Sequence, residues 1–181
     1  MPRVLDRYKD IHSHLQALAT RGDTVVSITP SDAMLPGGTY SLGIHPWATE
    51  KLISADQLQR LETMAPDSRV VAIGEAGFDR LRGGDIAYQT EIFEFQAAIA
   101  RRLGKPMIIH CVHAFDVLLA EAKRLRPEPG MWIVHGFRGK PALARQLIDA
   151  GMALSIGLKY NPDTLAAIPP GRLYRETDAQ A

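Results

Sequence analysis

Residues 70–75 read Val70-Val71-Ala72-Ile73-Gly74-Glu75, five uncharged residues followed directly by a carboxylate. Two later stretches repeat the arrangement: Pro106-Met107-Ile108-Ile109-His110 and Met131-Trp132-Ile133-Val134-His135. These runs are nearly continuous in apolar residues rather than alternating. Strands buried on both faces of a parallel sheet have that pattern. Each run also ends in a residue type that binds metal ions or protons, so sheet and candidate site are coupled from the start.

Outward from these runs, further strands are predicted at 8–12, 24–29, 40–44, 152–156 and 172–176, giving eight with 70–74, 106–109 and 131–134. Helices are predicted between several of them. Ser54 with Gln57 forms a capping box, with Ile53 and Leu58 as its hydrophobic staple. Over 89–103, Ile92, Phe95, Ile99 and Leu103 recur at helical spacing before Gly104. Over 113–125, Phe115, Leu118, Leu119, Ala122 and Leu125 form a second apolar stripe, ended by Pro127. Pro141 opens a fourth helix that Gly151 ends. Residues 30–39 and 157–171 are turn-rich, so helices there are short or missing.

Alternation of strands and helices implies βαβ units. The predicted fold is therefore α/β, an eight-stranded (β/α) TIM barrel forming one domain over residues 1–181, with a doubly wound open sheet as the alternative. Candidate ligands at the C-terminal ends of several different strands favour the barrel, where such enzymes place their active sites. An open sheet would not easily unite residues from the first and last strands. The final outer helix is absent from the sequence, so we expect a truncated or incomplete chain. The junction of the last and first strands should then expose an apolar strip, or be covered by N-terminal residues or another molecule.

Bulk properties narrow the class. With 181 residues, 46% hydrophobic and 23% charged, and a formal net charge of +1, the chain resembles ordinary globular proteins and not strongly basic nucleic-acid binders. The lone Cys111 excludes an intrachain disulfide and fits a reducing compartment. No signal-peptide pattern or membrane-length apolar stretch is present, so a cytoplasmic location without membrane contact is the default.

The chemistry centres on His12-Ser13-His14. Two imidazoles at i and i+2 share one face of a strand and can reach one metal ion. Glu75, His110, His135 and Asp178 follow at the ends of later runs. Taken singly, each has an ordinary structural reading as a cap, a surface residue or a satisfied core histidine. Together, four imidazoles and two carboxylates suit two divalent metal ions, with Glu75 the best bridge. Nitrogen-rich ligation fits zinc, manganese or iron at least as well as magnesium, which prefers oxygen.

The sequence also resembles, in order along the chain, the TatD-type metal-dependent hydrolases, the TatD deoxyribonucleases of the amidohydrolase-like superfamily. The resemblance is carried by DIHSHL (10–15), GIHPW (43–47), AIGEAGFD (72–79), LGKPMIIHC (103–111), HGFRGK (135–140), MALSIG (152–157) and ETDAQ (176–180). It implies that His12, His14, Glu75 and Asp178 hold one ion and that Glu75, His110 and His135 hold the other. It further implies that His45 faces the substrate, through its phosphate. Trp47 stands where the family often has a second His, Val112 where it has an Arg, and Gln180 where it has a Pro. Leu15-Gln16 replaces an Asp. These departures touch the substrate-facing positions and leave the ligands intact.

The expected reaction is hydrolysis by a metal-activated water, with Asp178 and Glu75 as the catalytic carboxylates. Arg80, Arg82, Arg138 and Lys140 are nearby cations that could balance phosphate charge. DNA phosphodiesters are the first expected substrate. Rival readings are a carboxylic ester or amide, such as a D-aminoacyl ester, and a metal-binding protein without catalysis.

Overall fold

The computed structural model describes residues 4–179. Gln180, the departure within ETDAQ, lies outside them. Eight strands run β1 (Asp10–Ser13), β2 (Thr24–Ile28), β3 (Tyr40–Leu42), β4 (Val70–Asp79), β5 (Met107–Val112), β6 (Trp132–Val134), β7 (Ala153–Ile156) and β8 (Leu173–Arg175). They form one sheet in sequence order, every ladder parallel. The chain closes this sheet back on itself. Past β8, the Asp178 amide donates to His12 O (3.0 Å), and the His14 amide to Ala179 O (2.8 Å). The fold is thus a nearly closed (β/α)8 TIM barrel.

The outer layer is α1 (Ala55–Met64), α2 (Ile86–Leu103), α3 (Phe115–Leu125), α4 (Pro141–Asp149) and α5 (Pro162–Ala167). The Ser54–Gln57 capping box is present, and Gly104 ends α2 at φ +62°. Between β2 and β3 no helix forms among residues 29–39, and α5 spans only six residues. Both thin connections were expected. None of the described helices is long and apolar enough to cross a membrane.

Two apolar sets divide the core. The larger lies between sheet and helices. The smaller comprises Ile11, Val25, Ala72, Ile108, Ile133, Ala153 and Tyr174 with a few neighbours, and it fills the barrel interior. A short turn, Val4–Arg7, and the following Tyr8 bring Leu5 and Tyr8 against this interior set. N-terminal residues therefore pack onto the interior set of the barrel.

Most strand bounds shift from expectation by one or two residues, and two strands run well past their predicted ends. β4 continues through Glu75 to Asp79, and β5 continues through His110 to Val112, so Glu75 and His110 lie within strands and not at their ends. The reason is mutual pairing: Gly77 stands opposite His110, Phe78 opposite Cys111 and Asp79 opposite Val112. Neighbouring backbone supplies the hydrogen bonds that each strand alone would have to find in water.

Candidate metal centre

Strand periodicity builds the site. Two residues beyond inward Ile108, Ile133 and Tyr174 come His110, His135 and Glu176, which the alternation of a strand turns to the same interior. β1 and β4 depart from strict alternation. Between Asp10 and Ser13, β1 carries one more residue than β2 does between Thr24 and Val26. Between Ile73 and Ala76, β4 likewise carries one more than β5 does between Met107 and Ile109. An extra residue bends a strand and re-aims a side chain. His12 and Glu75 sit at these two bulges.

The result is a cluster around one buried carboxylate. Glu75 is only 6% exposed. Its Oε2 lies 3.3 Å from His12 Nε2 and 3.6 Å from His14 Nε2. Its Oε1 lies 2.7 Å from His135 Nε2, 3.1 Å from His110 Nδ1 and 3.1 Å from His45 Nε2. Asp178 Oδ1 stands 3.6 Å from both His12 Nε2 and His14 Nε2. All seven residues to which the sequence points, the six expected ligands and His45, therefore meet in one place. The carboxylate divides them into two groups, one at each oxygen.

Three residues that sequence reasoning missed complete the surroundings. Asp79 Oδ2 accepts hydrogen bonds from His110 Nε2 (2.9 Å) and Trp47 Nε1 (2.6 Å). With its proton held at Nε2, His110 offers Nδ1 to the centre. Glu176 Oε1 lies 3.5 Å from His135 Nδ1, which leaves Nε2 of that ring facing Glu75. Trp47, noted beforehand only as a departure, packs at 4.8 Å from the His45 ring. A signal for Glu176 existed, since it follows Tyr174 by two residues as His110 follows Ile108.

Helix α2 holds the loop and strand end in register. Buried Gln96 accepts from the Ile44 amide (2.8 Å) and donates to Ile44 O (3.0 Å), next to His45. Buried Gln89 makes the same paired contact with the Asp79 backbone (2.8 and 2.9 Å). The Trp47 amide donates to His45 Nδ1 (3.1 Å), so a neutral His45 carries its proton on Nε2.

Electrostatics follow from burial and proximity. Burial alone would push Glu75 up, but His135, His110 and His12 outweigh it and hold the carboxyl well below its ordinary range. His135 shows the converse: burial would lower it, yet Glu75 and Glu176 raise it to about 10. Burial lowers His45 despite Glu75, so its ring is neutral at neutral pH. A hydrogen bond with His14 holds Asp178 below its usual value. Burial pushes the Cys111 thiol up to about 12, so it is a neutral thiol at neutral pH.

A metal fits this donor set. Among the described residues, both ring nitrogens of His12 are buried without a hydrogen-bond partner. Unsatisfied buried polar atoms are costly. Several overlapping groups of three donors also lie within 4.8 Å of one another, including His12–Glu75–His135 and His12–His14–Asp178. The expected cations are placed differently. Arg80 is tied to Asp116 through two bonds (2.6 and 2.8 Å), Arg138 and Lys140 are exposed, and Arg82 lies over the Trp47 ring.

A family model described as TatD related DNase matches residues 32–179. The chain belongs to the TatD family. It is 33% identical over 150 residues to the uncharacterized metal-dependent hydrolase YjjV of Escherichia coli, an alignment covering 77% of this chain and 57% of that protein. It is 34% identical over 148 residues to the Klebsiella pneumoniae protein named 3'-5' ssDNA/RNA exonuclease TatD, covering 76% and 55%. The chain thus spans little more than half the length of these curated TatD relatives. The crystal structure of E. coli YjjV, a TatD homologue, superposes with a TM-score of 0.75 at 25% identity, covering 96% of this chain and 80% of that one.

Proposed function

We propose that this TatD-family chain hydrolyses phosphodiester bonds of single-stranded nucleic acid with two divalent ions. The observation that carries the reading is the division of Glu75. One oxygen faces His12 and His14, the other His110 and His135, so each oxygen would share an ion with its own pair of imidazoles. His12 Nε2, His14 Nε2, Glu75 and Asp178 would hold one ion. Glu75, His110 Nδ1 and His135 Nε2 would hold the other. Zinc and manganese suit these nitrogen-rich sets, and magnesium suits them less well. The names of relatives, among them a 3'-5' ssDNA/RNA exonuclease, support nucleic acid as the substrate.

When bound, the metal supplies Lewis-acid charge that acidifies a water and neutralises phosphate oxygens. The chain's own groups do the rest. Asp178 is ionised at neutral pH and orients the attacking water, accepting its proton. Neutral His45 donates from Nε2 to a phosphate oxygen. Asp79 and Glu176 keep the protons of His110 and His135 on the ring nitrogens turned away from Glu75.

The test is calorimetric titration of metal-free protein with manganese or zinc, followed by turnover of single-stranded DNA. Two ions per chain and salt-sensitive cleavage are expected, because phosphate contacts release counterions. Asp178→Asn should lower turnover about 100-fold or more while metal remains bound. Salt-insensitive hydrolysis of an aminoacyl ester, with DNA untouched, would overturn the substrate. Metal binding without turnover of either substrate would overturn catalysis.

A further inference from the structure

The rim of the barrel mouth carries exposed apolar and aromatic side chains. Trp47, Leu52, Leu81, Leu158 and Tyr160 are exposed, and each lies in a connection leaving the C-terminal end of a strand. The two rings among them are each paired with a guanidinium. Arg82 Cζ lies 3.7 Å from the Trp47 ring centroid and Arg175 Cζ 5.9 Å from that of Tyr160.

Trp47 is the one that reaches the centre. Its ring lies 4.8 Å from His45 and 5.9 Å from His110, and its Nε1 donates to Asp79 Oδ2 at 2.6 Å. An indole with such a fixed edge loses little freedom when something packs on it, yet Trp47 remains 39% exposed. A guanidinium lying on the ring, itself open to solvent, makes a flat and positively charged surface. That surface suits a planar π-system attached to an anion, which describes a nucleobase and its phosphate.

Resting on the phosphodiesterase reading above, we propose that Trp47 and Arg82 form a stacking subsite for the nucleobase beside the scissile phosphate. Bases stacked within a duplex cannot enter such a subsite, so it selects single strands. It is tolerant of base identity, because every base presents a π-face.

Trp132 is the only other tryptophan and is buried, so Trp132→Phe leaves Trp47 as the sole indole reporter. The metal-loaded Trp132→Phe protein is titrated with a four-nucleotide phosphorothioate strand and with the same strand made abasic. Quenching by the base-bearing strand alone is expected, and equal quenching by both overturns the subsite. In hydrolysis, KM should favour base-bearing over abasic strands about tenfold or more. That preference should collapse in Trp47→Ala and largely survive in Trp47→Phe, which keeps a ring but loses the Nε1 donor. A preference unchanged in Trp47→Ala overturns the proposal. So does a Trp47→Phe protein as impaired as Trp47→Ala, because Trp47 would then act by holding Asp79 and His110. If no strand is cleaved, the phosphodiesterase reading fails separately. The fluorescence titration still decides the subsite, with base-dependent quenching sustaining it and its absence overturning it.

Discussion

At the scale of single residues, the proposed centre is governed by where one buried proton sits. His135 is raised to about 10 by Glu75 and Glu176 against its burial, so in metal-free protein it carries a proton at neutral pH. A proton on Nε2 occupies the ligand position, and metal uptake must release it. The sign follows directly. The competing proton is present below the raised value and disappears only as pH approaches 10, so metal affinity should climb between about pH 6 and pH 9. Glu176→Gln removes one of the charges that hold this proton, so the climb should move to lower pH. At high pH the same variant should bind metal about 10–100-fold more weakly, because the Nδ1–H loses its carboxylate. Isothermal titration across pH measures both effects, and an unmoved pH profile would sink the role given to Glu176. Glu75, His110 and His135 were legible in the sequence because each follows an apolar run, His12 and His14 through their i, i+2 spacing, and Asp178 through its place after the last predicted strand. Asp79 was not, because it acts through a ring nitrogen of a histidine remote in sequence, and the strand spacing that signals Glu176 does not reveal its partner His135.

At the scale of elements, the β4–β5 pair decides whether the centre can exist. Gly77 adopts φ +148°, and a Cβ there would sit 1.9 Å from His110 O. Gly77→Ala therefore forces β4 away from the strand that carries His110. We expect a loss of about 2–4 kcal/mol in unfolding free energy, through backbone strain and overpacking, together with loss of metal binding. Gly104→Ala is the matched control. It also has positive φ, +62°, but nothing lies within 4 Å of the added Cβ. It should cost about 1 kcal/mol and leave metal binding intact. Urea denaturation and metal stoichiometry of the two variants separate local backbone strain from damage to the site. All eight strands and four of the helices were legible, because apolar runs and caps are local signals. The extension of β4 to Asp79 and of β5 to Val112 was not, because it depends on pairing between distant segments. The same holds for the two bulges that aim His12 and Glu75, since the count of residues on a partner strand is a property of the pair.

At the scale of the whole molecule, the barrel must close for the centre to be complete, and the closure runs through polar groups. Asp10 on β1 accepts from the Thr177 amide (3.0 Å) and the Thr177 hydroxyl (2.6 Å), and it also accepts from the His12 amide (3.1 Å). One side chain thus fixes the bulge presenting His12 and the tail presenting Asp178. Asp178 itself sits at φ +48°, a conformation that aspartate tolerates better than most residues, anchored by its amide to His12 O. The pairing of His12 and Asp178 required first and last strands to be neighbours, which made the barrel legible from a few ligands. The clasp that enforces it was not legible, because Asp10 and Thr177 are ordinary polar residues until the ends meet. Thr177→Val keeps the shape of the side chain and removes the hydroxyl donor, leaving an Asp10 oxygen buried without it. About 1–2 kcal/mol of stability should be lost. The larger consequence is asymmetric, because only the group around His12, His14 and Asp178 spans the junction, whereas His110 and His135 lie on adjacent strands across from it. Titration of the variant should therefore show one ion bound nearly as tightly as before and the other weakened about tenfold, as supporting interactions of ligands typically permit. Equal weakening of both ions would mean that closure holds the entire barrel rather than one half of its centre.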